Sequence, residues 1–271
     1  MEQISVHVAD LPRKIARGTT LFELRDAEKP GADVLVVNGV PVMEDREVVD
    51  GDTMVFIKRG EMPAWEELES LMMSRHTPGV HQVLKRASVG IAGLGGLGSS
   101  VAVSLARVGV GRLVLVDFDV VEPSNLNRQQ YFVDQIGMYK TDALAETLLR
   151  VNPYVNVGKH AVRLTRENTC DIFDGVEIVV EAFDNEESKA MLVETILGGS
   201  SHTKVVAASG MAGYDSANLV HTARIGTRFY LSGDRNSCCE PGRGLMAPRV
   251  GVVSQHQACM VLRLLLGEET A

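Results

Sequence analysis

A chain of 271 residues can build one substantial core, or a medium domain beside a small one. Its 27 basic against 35 acidic residues, a net charge of −8, leave no broad basic field for a nucleic-acid backbone, so no nucleic-acid partner is expected. No basic-then-apolar leader opens the chain and no run of about 18 apolar residues occurs, so neither a signal peptide nor a membrane partner is expected; a cytoplasmic location is.

Residues 1–60 have a texture of their own. Ile4-Ser5-Val6-His7-Val8 alternates as a strand does, and Val34–Val37 is an apolar strand ending in Asn38-Gly39, a strong hairpin signal. Between them, Thr20 and Glu23 have the spacing of a capping box that opens a short helix. Asp50-Gly51-Asp52 turns the chain into a last strand, Met54–Ile57. Strands around one short helix predict a small β-grasp, ubiquitin-like domain. Residues 61–86 read as a helical linker, with Pro63 in the first turn of a helix that carries the single tryptophan, and a second amphipathic stretch ending near Arg86.

From residue 87 to 271 the rhythm becomes strand–helix alternation. Ser88–Ala92, Leu113–Val116, Val155–Val162, Val176–Val180 and Lys204–Ala208 read as strands. The intervening helices begin near Leu97 and Lys140 and span Glu187–Leu197. Segments near Ala217–Ile225 and Arg228–Leu231 read as antiparallel strands, before an apolar helix through Val261–Leu266. The predicted fold is α/β, a doubly wound and mostly parallel Rossmann-like sheet with an antiparallel extension.

Gly93-Leu94-Gly95-Gly96-Leu97-Gly98 joins the first of these strands to a helix. Gly93, Gly95 and Gly98 give the spacing of a phosphate-binding turn, in which backbone N–H groups approach phosphate oxygens. With Asp117 ending the next strand as a ribose ligand, this alone would read as an NAD-dependent dehydrogenase. The following residues disfavour hydride chemistry. Asp119, Asn125, Asn127, Arg128 and Gln129 crowd polar groups past the strand end, Lys140 opens a helix, and Asp184-Asn185 stands past the fourth strand. Cations and a carboxylate converging at the carboxyl edge suit a triphosphate with Mg²⁺.

From Val89 onward the chain resembles the ThiF/MoeB family, bacterial relatives of ubiquitin-activating enzymes. The likeness rests on the glycine turn, Asp117-x-Asp119, Ser124–Gln129, Gly137-x-x-Lys140 and Asp184-Asn185, with Cys239-Glu240 and Met246–Gly251 later. It is nearest to thiamine-branch members with a ThiS-like segment at the amino terminus. The resemblance implies an adenylyltransferase that binds ATP and Mg²⁺ and activates the C-terminal glycine of a ubiquitin-like sulfur carrier. It implies that Asp117 holds the ribose, that Asn125, Arg128 and Lys140 grip the phosphates, and that Asp184 ligates Mg²⁺. It also implies a homodimer with an arginine acting across it; Arg75 stands in the right region, and a solvated linker charge is the other reading. The same chemistry on another tail, such as the small subunit of molybdopterin synthase or a peptide, and a non-catalytic ATP-binding scaffold stay open.

Of four cysteines, Cys238 and Cys239 fall where some family members carry a thiol that bonds covalently to the carrier, and Gly233, Gly242 and Gly244 predict a mobile loop around them. Cys259, in the apolar last helix, is expected to be buried. No Cys-x-x-Cys occurs, so no structural zinc is expected. The first domain ends Ile57-Lys58-Arg59-Gly60 and runs on into Glu61. A peptide-bonded glycine has no carboxylate to activate, so a structural or regulatory role is expected of this domain.

Overall fold

The computed structural model describes residues 2–77 and 79–271, and leaves out the side chains of Leu71, Ser74 and Arg75. The chain forms two compact units, Met1–Pro78 and Gly79–Ala271.

In the first unit, strands β1 (Gln3–Val8), β2 (Leu11–Ala16), β3 (Val34–Val37), β4 (Val40–Val42) and β5 (Thr53–Ile57) form one sheet in the order β2-β1-β5-β3-β4. The β1–β5 pair is parallel and the other pairs are antiparallel. Alternation does what the pleat requires: Val6, Val8, Met54 and Phe56 point inward and meet Leu21 and Leu24 of helix α1 (Leu21–Glu28). Thr20 and Glu23 form the expected capping box. Asn38 and Gly39 both have positive φ (51° and 81°), as a tight primed hairpin turn requires.

Strand β2 has no counterpart in the sequence reading. Its turn uses Ala9 and Asp10 at φ 49° and 61°, a conformation that Asp tolerates and that Ala9 does not announce. Pro12 is accommodated because β2 is an edge strand. Helix α2 (Trp65–Arg75) takes Ala64 as its N-cap, so Pro63 precedes the helix and does not sit in its first turn. The division between the units leaves α2 in the first and helix α3 (Val80–Leu84) in the second.

The second unit alternates strands β6 (Ser88–Ala92), β7 (Arg112–Val116), β8 (Asn156–His160), β9 (Ile178–Glu181) and β10 (Lys204–Ala208) with helices. These are α4 (Gly96–Arg107), α5 (Lys140–Val151), α6 (Thr169–Ile172) and α7 (Glu186–Gly199). A hairpin of β11 (His221–Arg224) and β12 (Phe229–Gly233) precedes the final helix, α8 (Ala247–Leu265). The sheet order is β11-β12-β10-β9-β6-β7-β8. Every pair is parallel except β11–β12. The antiparallel extension is therefore one strand, β11; the hairpin reverses the chain again and returns β12 parallel to β10. Residues of β6, β7 and β9 are almost wholly buried, as strands covered on both faces must be.

Reading outward, the order of strands reverses between β6 and β9. At such a switch point the loops leaving neighbouring strands turn apart and open a crevice at the carboxyl edge. The loops after β6, β7, β9 and β10 all leave from that edge.

Candidate active site

A cleft of about 660 Å³ opens at this edge, within the range of small-molecule sites. It gathers most of the residues singled out from the sequence. Gly93, Gly95, Gly96, Asp117, Asp119 and Arg128 line it, as do Gln129, Lys140 and Asp184, with Cys238 and Cys239 at another part of its wall. Asn125 and Gly98 are not among the lining residues.

The glycines divide by what a side chain would meet. At Gly98 an added Cβ would lie 1.9 Å from the Gly93 carbonyl oxygen, so this glycine lets α4 close on the turn. Gly93 itself holds φ +87°. At Gly95 the nearest neighbour would be Gln129 Nε2, 4.0 Å away, so the space beside it belongs to the cleft. Gly95 is also the N-cap of α4, and no side chain caps that helix. Its first-turn N–H groups have no partner within the helix, and together with the helix dipole they suit a phosphate.

Asp117 is buried and accepts hydrogen bonds from the Leu94 N–H (2.7 Å) and the Asp119 N–H (2.9 Å), tying β7 to the glycine turn. Burial pushes its carboxyl above the usual carboxylate range, while the charge of Lys140 and these two bonds hold the rise back. Lys140 opens α5 with a side chain only 8% exposed; its Nζ lies 2.8 Å from Asp119 Oδ2 and 3.9 Å from Asp117 Oδ2. Below the turn, the Tyr131 hydroxyl donates to the Leu94 carbonyl at 2.8 Å.

Arg128 follows the 3-10 turn Pro123–Asn127, and its Nη1 donates to Asn127 Oδ1 (2.9 Å) and the Ser124 carbonyl (3.3 Å). Gln129 is buried, yet its Oε1 has no hydrogen-bond partner. The Asn125 side chain is turned away from the cleft: its Oδ1 accepts the Glu122 N–H at 3.0 Å and closes the 3-10 turn. Asn125 thus closes the turn that leads into Arg128. The Arg75 side chain lies outside the described residues.

Asp184 stands on the loop between β9 and α7, beside Asn185, whose Oδ1 caps α7 through the Ser188 N–H at 2.8 Å. Among the described residues no three His, Cys, Asp or Glu side chains group to hold a metal ion. A lone Asp184 suits Mg²⁺ all the same, because that ion takes one or two carboxylates and completes its shell with phosphates and water. The uncapped helix, the open space at Gly95 and the unpaired Gln129 acceptor fit a nucleotide.

Several groups in and under the cleft were missed from the sequence. Lys189 on α7 pairs with the buried Glu181 at the end of β9. A single acid closing the apolar run Ile178-Val179-Val180-Glu181 is the one signal that could have exposed it. Arg163 lies 4.3 Å over the Phe118 ring, both in the cleft wall.

Of the three glycines around the cysteine segment, Gly242 and Gly244 have nothing within 4 Å of an added Cβ, whereas Gly233 is packed. Gly233 is buried, and its missing Cβ admits the Ser209 carbonyl, which an added Cβ would approach to 1.8 Å. The Gly213 N–H donates to the Gly244 carbonyl at 2.8 Å, and Arg243 pairs with Asp215. Cys238 and Cys239 are free and exposed on this tethered segment. Cys259 is exposed as well, on the outward stripe of α8, contrary to the burial expected of it.

Residues 69–271 match the ThiF family, and residues 4–60 match the ThiS-like ubiquitin family. The chain belongs to the ThiF family. Among its curated relatives are the proteins named adenylyltransferase and sulfurtransferase UBA4 of Saccharomyces cerevisiae and Kluyveromyces lactis. Each is 31% identical, over 68% and 69% of this chain respectively. The chain spans 43% of the length of either relative. Among solved structures, the Escherichia coli tRNA N6-threonylcarbamoyladenosine dehydratase TcdA in complex with ATP has a TM-score of 0.68 at 20% identity, covering 76% of this chain and 97% of that one. Escherichia coli MccB with ATP has a TM-score of 0.54 at 24% identity, covering 70% and 58%. These likenesses show a shared fold. Among the described residues no helix is long and apolar enough to cross a membrane.

Proposed function

We propose that this ThiF-family protein transfers AMP from ATP to the C-terminal glycine carboxylate of a ubiquitin-like sulfur carrier, in thiamine biosynthesis. The observation that carries this reading is one cleft that brings the cationic side chains of Arg128 and Lys140 and the carboxylate of Asp184 together with an uncapped helix N-terminus. The ThiS-like module and relatives named as adenylyltransferases support the class of reaction; the resemblance to thiamine-branch proteins supports the pathway.

A carrier carboxylate oxygen attacks the α-phosphorus, the bond to the bridging oxygen of the β-phosphate breaks, and pyrophosphate leaves with the electron pair. Two anions meet in this step, so the site must neutralise charge and hold the reactants in line. The α4 N–H groups receive phosphate oxygens, and Arg128 and Lys140 place positive charge beside them. Asp117 holds the glycine turn in shape and offers its carboxylate to the ribose. Mg²⁺ bound at Asp184 would supply further charge neutralisation on the phosphates. No general base is required, since a terminal carboxylate is ionised near neutral pH. In this reading the protein is a cytoplasmic homodimer, with Arg75 of one copy serving the site of the other. The module ending at Gly60 is structural or regulatory, because its last glycine is peptide-bonded to Glu61.

The test is exchange of radiolabelled pyrophosphate into ATP with candidate carriers, followed by weighing each carrier for a gain of AMP. Exchange with a ThiS-type carrier is the expected result. Exchange only with a molybdopterin-type carrier or a peptide would move the reaction to another pathway. ATP binding without exchange for every acceptor would make the protein a scaffold, and NAD binding without ATP binding would make it a dehydrogenase.

A further inference from the structure

Arg249, in the first turn of α8, has a side chain 3% exposed and pairs through Nη2 with Asp234, itself 7% exposed. Its Nη1 donates to two further acceptors, the Asp215 carbonyl at 2.6 Å and the Ser216 carbonyl at 3.0 Å. Asp234, just past the end of β12, is equally occupied. Its Oδ1 accepts the Asn236 N–H (2.9 Å) and the Ser237 N–H (2.8 Å), and its Oδ2 accepts the Ser237 hydroxyl (2.7 Å) as well as Arg249. Ser237 Oγ in turn accepts the Ala212 N–H at 3.1 Å, joining the two parts of the cleft wall that follow β10 and β12.

One buried pair therefore fixes three segments: residues 215–216, the turn 234–237, and the start of α8. Cys238 and Cys239 begin the stretch strung between the last two of these anchors. The rest of that stretch is secured to the first, through Arg243–Asp215 and the Gly213–Gly244 hydrogen bond. We propose that Arg249 and Asp234 form a clasp that positions the Cys238–Cys239 segment at the cleft, where a thiolate of that segment attacks the acyl carbon of the adenylated carrier tail, the bond from that carbon to the phosphate oxygen breaks, and AMP leaves with the electron pair as a thioester forms. The thiol role rests on the adenylation reading; the clasp is a matter of geometry.

The energetics favour positioning over stability as the use of this pair. Burying two charges costs several kcal/mol of desolvation, and apolar side chains of equal volume commonly stabilise a fold as well or better. Arg249 even leaves its Nε buried without a hydrogen-bond partner. What an apolar pair would not supply is the simultaneous hold on three segments. Burial works to raise the Asp234 carboxyl, but the Ser237 and Asn236 donors and Arg249 outweigh it and keep its pKa far below the usual carboxylate range. The clasp is thus closed at neutral pH.

The test uses the full chain and hydrogen–deuterium exchange followed by peptide mass spectrometry, with peptides from β10 and α4 as internal references. In Arg249→Met, the amides of residues 236–246 should exchange at least about fivefold faster relative to these references, because the unclasped segment opens locally more often. Ser237→Ala removes one strut without unpairing a buried charge; it should give a smaller rise of the same kind, and it decides the matter if Arg249→Met does not fold. Unchanged ratios, or a rise shared by all peptides, would overturn the clasp. Absence of pyrophosphate exchange in the native protein would count against adenylation and leave the hydrogen-exchange result readable.

Discussion

The Lys189 ammonium donates to both carboxylate oxygens of Glu181 at 3.0 Å, and to the Ala208 carbonyl at 3.1 Å. Three donors meet three acceptors, so this cation in the cleft wall has no hydrogen left for a phosphate. Its place is architectural. Glu181 also accepts the Phe183 N–H at 2.7 Å, one residue before Asp184, and Gln257 of α8 donates to its backbone carbonyl at 3.0 Å. The pair thereby ties the Asp184 loop to β10 and to the final helix.

Lys189→Met should consequently destabilise the protein by about 3–5 kcal/mol, since it strands a carboxylate that is only 1% exposed. The double variant Lys189→Met with Glu181→Gln should recover a large part of that loss. Urea unfolding of the three proteins measures this, and a double variant no more stable than the single one would contradict it.

Substitutions at Gly95 and Gly98 should part company. Gly98→Ala forces a Cβ against the Gly93 carbonyl oxygen and should cost at least about 2 kcal/mol of folding stability. Gly95→Ala meets no protein atom closer than 4.0 Å. It should fold normally and weaken ATP binding by about tenfold or more, because the added methyl occupies the phosphate's space. Equal thermal melts for the two variants, or unimpaired ATP binding in Gly95→Ala, would refute the division.

Lys140→Met should change both the rate of pyrophosphate exchange and its dependence on pH. Loss of a cation beside the phosphates should slow exchange by about a hundredfold or more. The same cation holds back the rise of the buried Asp117 carboxyl, so its removal favours the neutral acid and lifts that pKa further. The acid limb of the profile for ATP binding, which needs ionised Asp117, should move to higher pH. A limb that stays in place or moves lower would separate Asp117 from the binding step.

Cys238→Ala with Cys239→Ala should leave pyrophosphate exchange within about twofold of the native rate, since the acyl-phosphate anhydride forms without a thiol. Any carrier adduct that survives denaturation and is released by dithiothreitol should vanish. Loss of exchange itself would place the thiols in the adenylation step.

How far the sequence reveals this depends on the distance over which each constraint acts. Ser88–Ala92, Lys140–Val151 and Lys204–Ala208 form the elements expected of them, because unbroken apolar runs and a helical stripe are local signals. Strand β2 was invisible because its turn is made by Ala9 and Asp10, not glycine. Asn125 reads beside Arg128 along the chain, but the 3-10 turn swings its side chain back to Glu122. Of the Glu181–Lys189 pair, Glu181 shows only as one acid closing an apolar run, and the Arg249–Asp234 pair has no local pattern. Each joins elements that only the folded sheet brings together.

The strand order also bears on what the borders of the second unit's sheet will accept. Its outermost strands, β11 and β8, are four and five residues long, and exposed His221 and Arg224 on one, Asn156 and Lys159 on the other, break up their outer margins. Short, charge-bearing borders resist the addition of another ribbon. Lateral growth of the sheet at either border is therefore disfavoured.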